Sequence, residues 1–83
     1  MIRVLFFGRL RDTAGRAEMD CAPPADIATI AGLRAWLGAQ DDALGTALAA
    51  PGIRVARDQS FCGFDAALAG AREIAFMAPL SGG

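Results

Sequence analysis

The sequence predicts an α+β domain in which a sheet packs on one main helix. Three observations predict it: a strand-like apolar segment opens the chain at residues 1–7, apolar residues recur at helical spacing over residues 30–39, and shorter strand-like segments follow. With 83 residues the chain forms one domain, because hydrophobic cores divide only at several times this length.

The opening segment predicts the first strand of the sheet. Residues 1–7 are rich in branched and aromatic side chains and end at Gly8. Both faces of this strand are largely apolar, so we expect both to be covered within the domain, or one to be covered and the other to dock on a partner. Residues 9–15 are polar and end in Ala-Gly, which predicts a loop. Residues 17–21 predict a second, weaker strand that stops at Pro23.

The main helix is predicted over residues 30–39, with Thr29 as its N-cap. A shorter helix follows, capped by Asp41 or Asp42 and ended by Pro51. We expect the main helix to pack on the sheet through the apolar residues that recur at helical spacing, which are Ile30, Leu33, Trp36 and Leu37.

The remaining strands are short. Residues 53–57 predict a strand, residues 58–60 a turn and residues 65–70 an irregular segment. Residues 73–78 predict the last strand, which ends at Pro79. The expected order along the chain is therefore a hairpin, a helix and further strands.

The side-chain inventory excludes several classes of function. The chain has no His, Lys or Tyr, so all eight of its positive charges are arginines. Catalysis by an imidazole, a Schiff-base lysine or a phosphate-binding lysine is excluded, and we do not expect an enzyme on its own. The net charge of −1 lacks the excess of positive charge that nucleic-acid binding requires.

The two cysteines and the apolar segments indicate the cellular compartment and bear on metal and membrane binding. Cys21 and Cys62 are too few for a four-ligand zinc site or an iron–sulfur cluster, so we predict no metal site. One disulfide is compatible with this number, but we predict two reduced thiols in a cytoplasmic protein. No segment has the length and apolarity of a signal peptide or a membrane span, so no membrane association is expected.

Residues 79–83 predict a flexible, extended tail beyond a folded domain of residues 1–78. Such a tail can reach ~17 Å. It ends in Gly82 and Gly83. A terminal carboxylate is ionised at neutral pH and is a poor electrophile, so it must first be activated, most simply as a mixed anhydride with AMP. Glycines suit this chemistry because side chains there would obstruct the narrow channel of an activating enzyme.

Four stretches that together span the chain match one known family: residues 1–7, residues 11–15, Thr29 with Leu33 and Arg34, and residues 73–83. They resemble the small, sulfur-carrying subunit of molybdopterin synthase, a ubiquitin-like protein. This resemblance implies a β-grasp fold, with a mixed sheet, a helix across it and a C-terminal strand central enough to project the tail. The chain departs from the family at Asp58, where many members have Asn.

The resemblance also implies a chemistry for the tail. Gly83 is adenylated by a ubiquitin-activating-like adenylyltransferase that uses ATP, and its carboxylate becomes a thiocarboxylate with sulfur from a persulfide donor of the cysteine desulfurase or rhodanese type. The large subunit of molybdopterin synthase then takes this sulfur to build the dithiolene of molybdopterin from cyclic pyranopterin monophosphate. Gly82 supplies steric clearance. No cofactor is bound to the chain itself, and the catalytic groups belong to the large subunit.

Three apolar residues of the domain are predicted to bind a partner. If Phe6 faces the helix, Phe7 lies on the opposite face of the sheet. Met77 alternates with Phe76 and is expected on that same opposite face, and Phe61 is the third candidate. One main helix leaves this face uncovered, which favours docking over the alternative, core packing. In the tail, partner contacts are predicted from Pro79, Leu80 and Ser81.

Other functions remain open for a chain with this tail. One is a sulfur carrier for the thiamine thiazole. Another is a carrier for transfer-RNA thiolation or a modifier that forms isopeptide bonds. A third is a ubiquitin-like interaction module with an inert tail, whose function would survive deletion of Gly83, whereas any carrier would be inactivated.

Overall fold

The structure, a computed structural model, describes residues 1–78. The predicted tail and its site residues lie outside the described residues; these are Pro79, Leu80, Ser81, Gly82 and Gly83. In chain order, the described elements are β1 (Ile2–Phe7), α1 (Arg9–Ala14), β2 (Glu18–Cys21), α2 (Ile30–Gln40), α3 (Asp42–Leu48), β3 (Arg54–Arg57), β4 (Ser60–Cys62) and β5 (Glu73–Met77).

The strands form one five-stranded sheet in the order β2-β1-β5-β3-β4. The neighbours β1 and β5 are parallel, and the other three neighbouring pairs are antiparallel, so the sheet is mixed as predicted. The strand that comes last in the chain therefore lies in the middle of the sheet, between β1 and β3. Its end, Met77, is level with Phe7 of β1 and with Arg54 of β3.

The helices cover one face of the sheet, which we call the inner face. Its side chains and those of the helices form one buried core; the strand members are Val4, Phe6, Cys21, Val55, Ile74 and Phe76, and the helix members are Leu10, Ile30, Leu33, Leu37, Leu44 and Leu48. The predicted core side of the main helix is confirmed, since Ile30, Leu33 and Leu37 are buried and Trp36 packs against the core while partly buried. Burial of these side chains supplies most of the driving force for folding.

The predicted caps of the two longer helices are also confirmed. The Thr29 hydroxyl accepts a hydrogen bond from the Gly32 amide at 3.1 Å, at the start of α2. The Asp41 carboxylate accepts one from the Leu44 amide at 3.1 Å, at the start of α3. Each bond satisfies one of the amides that a first helical turn leaves without a partner.

The prediction of a loop over residues 9–15 was wrong, because residues 9–14 form the short helix α1. Its Leu10 is fully buried in the core, and Gly15 closes it in the left-handed conformation at φ 77°. A helix of six residues is too short to show apolar periodicity in the sequence. Packing of Leu10 and the glycine cap at Gly15 support it instead.

The strand β4 was also missed. Asp58 and Gln59 both have positive φ, 49° and 71°, and form a two-residue turn that returns the chain along β3. The turn was predicted one residue too long, and the three-residue strand after it has no pattern of its own. No helix in residues 1–78 combines the length and apolarity needed to cross a membrane.

Candidate functional site

The base of the tail lies at the centre of the sheet. Ala78, the last described residue, is 8% exposed and follows directly on the central strand β5. It lies against Gly8, where an added Cβ would be 3.6 Å from the Ala78 methyl. Gly8 has φ 66° and ψ −143°, a conformation that is open almost only to glycine. Residues 79–83 thus follow a central strand that is paired with a neighbour on each side.

The start of β5 is held by the carboxylate of Asp58. Its Oδ1 accepts hydrogen bonds from the Arg72 amide at 2.9 Å and the Glu73 amide at 3.0 Å. The Asp58 amide donates to the Glu73 carbonyl at 2.9 Å. The two amide donors stabilise the charged form, so they hold the pKa of Asp58 below its ordinary value.

The neighbouring residue, Arg57, holds the loop that leads into β5. Its Nε donates to the carbonyl of Ala67 at 2.9 Å, and its Nη2 donates to the carbonyl of Ala69 at 2.8 Å. Its Nη1 also lies 3.4 Å from the Asp58 carboxylate. Together, Arg57 and Asp58 connect the hairpin of β3 and β4 to the beginning of the central strand.

The face of the sheet opposite the helices, which we call the outer face, is largely apolar. Strand register and alternation place six such residues on it: Leu5, Phe7, Ala56, Phe61, Ala75 and Met77. Phe7 is 48% exposed and Phe61 is 61% exposed. Ala56 and Ala75 are buried without belonging to the core between sheet and helices, because larger outer-face side chains surround them.

The outer face carries charge at its two ends. At one end Arg3 lies 3.7 Å from the Glu18 carboxylate and 3.6 Å from that of Asp20. At the other end, beside Met77, the guanidinium carbon of Arg54 lies 4.2 Å from the centre of the Phe61 ring. The end with the exposed rings therefore has a cation, and the far end has the ion pairs of Arg3 and a further carboxylate, Glu73, the register neighbour of Arg3.

The structure brings together the three partner-binding residues predicted within the domain. Phe7 and Met77 are paired neighbours on β1 and β5, and Phe61 lies on the same face at the β4 edge. Arg54 was not identified from the sequence as a residue of this outer face. Its alternation with the buried Val55 was the available signal, since alternate residues of a strand point to opposite faces.

The two cysteines lie on strands at opposite edges of the sheet and are free thiols. Four strand spacings separate these edges by about 19 Å, whereas a disulfide requires Cα atoms within about 7 Å. Burial, with a smaller contribution from Asp20, raises the pKa of the Cys21 thiol and makes it a poor nucleophile. Residues 1–78 contain no group of three or more potential metal ligands.

The chain is similar to known sulfur carriers in sequence and to modifier proteins in structure. A profile described as the ThiS family matches residues 4–83. The chain is 36% identical to the molybdopterin synthase sulfur carrier subunit of Escherichia coli K12, over 83 residues and the whole of both chains.

Two solved structures have a similar fold. A crystal structure of SAMP1 from Haloferax volcanii has a TM-score of 0.82 at 24% identity, over 99% of this chain and 98% of that one. A crystal structure of the small archaeal modifier protein 1 from the same organism has a TM-score of 0.79 at 20% identity, over 94% and 95%. These likenesses confirm the predicted ubiquitin-like β-grasp fold.

Proposed function

Because this chain belongs to the ThiS family, we propose that it is the sulfur carrier and small subunit of a molybdopterin synthase. One observation carries the proposal: the full-length match to the sulfur carrier subunit of Escherichia coli, which extends through Gly83. The attachment of the tail to the central strand supports it, because a rigid base presents the terminal group to successive partners in the same way.

The reacting group is the carboxylate of Gly83. In the first step a carboxylate oxygen attacks the α-phosphorus of ATP on an adenylyltransferase, and pyrophosphate leaves. In the second step sulfur from a persulfide donor attacks the carbonyl carbon, and AMP leaves with the original carboxylate oxygen. A thiol then reduces the resulting acyl disulfide to the thiocarboxylate. Gly82 keeps the approach to this carbon open.

The chain acts as a cosubstrate and not as a catalyst. It has no His, Lys or Tyr to move protons at the reacting carbon. The adenylyltransferase, the sulfur donor and the large synthase subunit supply those groups. The proposed contacts with the large subunit are the outer-face residues Phe7, Phe61 and Met77, together with the tail residues Pro79, Leu80 and Ser81.

Exposure of the two phenylalanine rings supports docking on the outer face. Phe7 and Phe61 are the large apolar side chains besides Met1 that are exposed in residues 1–78. Aromatic side chains at the centre of an interface contribute much of its binding energy. A partner that packs on the outer face would bury both rings together.

The intact mass of the chain tests the proposal. The chain, with its native C-terminus, is incubated with ATP, the adenylyltransferase and a sulfide source. We expect a mass gain equal to the replacement of one oxygen by sulfur, and loss of this gain when Gly83 is deleted. Absence of the gain with an active adenylyltransferase would contradict a carrier and favour an interaction module.

Two controls make the mass result specific. A variant with Cys21→Ala and Cys62→Ser is expected to gain the same mass, which excludes oxidation of a thiol by one oxygen atom, a change of nearly equal mass. Adding the large subunit and cyclic pyranopterin monophosphate should then convert the thiocarboxylate back to a carboxylate. If sulfur instead reaches a thiamine thiazole precursor or a transfer RNA, the chain is a carrier for that pathway.

A further inference from the structure

We propose that Arg54 contributes to the choice of partner by forming an ion pair with the large synthase subunit. The surface of that subunit that covers the outer face would carry a carboxylate opposite this guanidinium. The inference rests on the proposed function. It adds a charge contact to the apolar contacts of Phe7, Phe61 and Met77.

Arg54 is held in place but has no counter-charge in the domain. It is exposed at the start of β3, and its guanidinium carbon lies 4.2 Å from the centre of the Phe61 ring. Within residues 1–78, the ion pairs of the domain involve Arg3 and Arg57 and leave Arg54 without a carboxylate. The other outer-face arginine, Arg3, contacts both Glu18 and Asp20.

A partner that covers this face must accommodate the cation. Arg54 is next to Phe61, so a partner surface that packs on the ring also removes water from the guanidinium. Burying a charge without an opposite charge is unfavourable, whereas a carboxylate can accept two N–H groups from one edge of a guanidinium. Stacking on Phe61 occupies the flat face of the group and leaves its edges free to donate.

The position of Arg54 indicates which partner must meet it. Arg54 is the register neighbour of Met77, one residue before the last described residue of the chain. A partner that receives the tail and also packs on Met77 therefore lies close to Arg54. A second copy of this face fits less well, because two of its three carboxylates, Glu18 and Asp20, already contact Arg3 and the third, Glu73, lies at the opposite end of β5 from Arg54.

The affinity for the large subunit, measured by titration calorimetry at low and high salt, tests the inference. Arg54→Gln should weaken binding at least about tenfold and Arg54→Glu about a hundredfold at low salt, while Arg54→Lys keeps the charge and should lose less. High salt should reduce these differences. The matched control is Arg3→Gln, on the same face but already ion-paired, which should change the affinity less than about threefold.

Thermal unfolding of every variant and the mass assay on the same preparations separate the outcomes. If the wild-type chain accepts sulfur and binds the large subunit, but Arg54→Glu binds equally well at both salt concentrations, the inference is overturned and the proposed function stands. If the wild-type chain neither accepts sulfur nor binds, the proposed function fails and the inference fails with it. If the chain alone forms a dimer that Arg54→Glu dissociates, a second copy occupies the face and the inference is overturned.

Discussion

The carboxylate of Asp58 accepts a hydrogen bond from the amide of Glu73, 15 positions further along the chain, at 3.0 Å. The same oxygen accepts the Arg72 amide at 2.9 Å. This one side chain therefore positions the first residue of the central strand β5, whose other end carries the tail. Asp58 itself has φ 49°, which Asp and Asn tolerate better than most residues.

Replacement of Asp58 separates its side-chain role from its backbone role. Asp58→Ala removes the acceptor and places a less tolerant residue at positive φ, so we expect a clear decrease in the thermal unfolding midpoint. Asp58→Asn keeps both an acceptor oxygen and the tolerance for this φ and should lose less. Asp58→Gly tolerates the positive φ but lacks the acceptor oxygen, so this variant measures the loss of the side-chain hydrogen bonds alone. Equal midpoints for wild type and Asp58→Ala would contradict a stabilising role of the Asp58 carboxylate.

The lowered pKa of Asp58 predicts a contribution to stability that depends on pH. Because the folded pKa lies below the unfolded value, the charged carboxylate stabilises the fold fully above the unfolded pKa. This contribution decreases as the pH falls through the folded pKa. Urea unfolding from neutral pH to about pH 2 should show the stability advantage of wild type over Asp58→Ala shrinking with acid. A difference in stability between wild type and Asp58→Ala that does not change with pH would contradict a contribution from the charged Asp58 carboxylate.

Phe6 and Phe7 are adjacent in β1 but should respond in opposite ways to substitution. Phe7→Arg should weaken binding to the large subunit at least about a hundredfold, because a central aromatic contact becomes a charge, and should leave the unfolding free energy nearly unchanged. Phe6 is 2% exposed in the core, and Phe6→Ala should cost about 3–5 kcal/mol of stability. Urea unfolding and calorimetric binding measure the two effects. Unfolding of Phe7→Arg would instead support core packing of this residue.

Close approach of the helices α2 and α3 depends on Gly38 and Gly45. A Cβ added at Gly45 would lie 2.8 Å from the Gly38 Cα, which forces the helices apart. Gly45→Ala should therefore cost about 1–3 kcal/mol of stability in urea unfolding, although alanine favours helix. Gly32→Ala is the matched control within a helix, since its added methyl meets the movable side chain of Ile27 at 3.0 Å. An equal cost for the two variants would contradict the packing explanation.

Much of the fold could be predicted because its signals are local. The branched residues of β1, the Thr29 cap with the apolar spacing of α2, and the Asp41 cap of α3 each lie within a few adjacent positions. The short helix α1 and the edge strand β4 escaped prediction because contacts from distant parts of the chain stabilise them.

The same distinction between local signals and contacts from distant parts of the chain applies to the candidate site. The proposed chemistry of the tail was predicted from the sequence alone, since it depends on Gly82, Gly83 and the family resemblance and needs no folded neighbour. The lack of His, Lys and Tyr also led to the prediction that the acid–base groups of the proposed reaction belong to a partner.

Only the tertiary structure decided where the proposed docking residues lie. Phe7 and Met77 come from opposite ends of the chain and meet because β1 and β5 are parallel neighbours. The stacking of Arg54 on Phe61 depends on the tight turn that folds β4 back along β3. Strand order and register follow from burial of one common core, which no short segment encodes by itself, so the charged and apolar pattern of the outer face emerges only when the sheet is assembled.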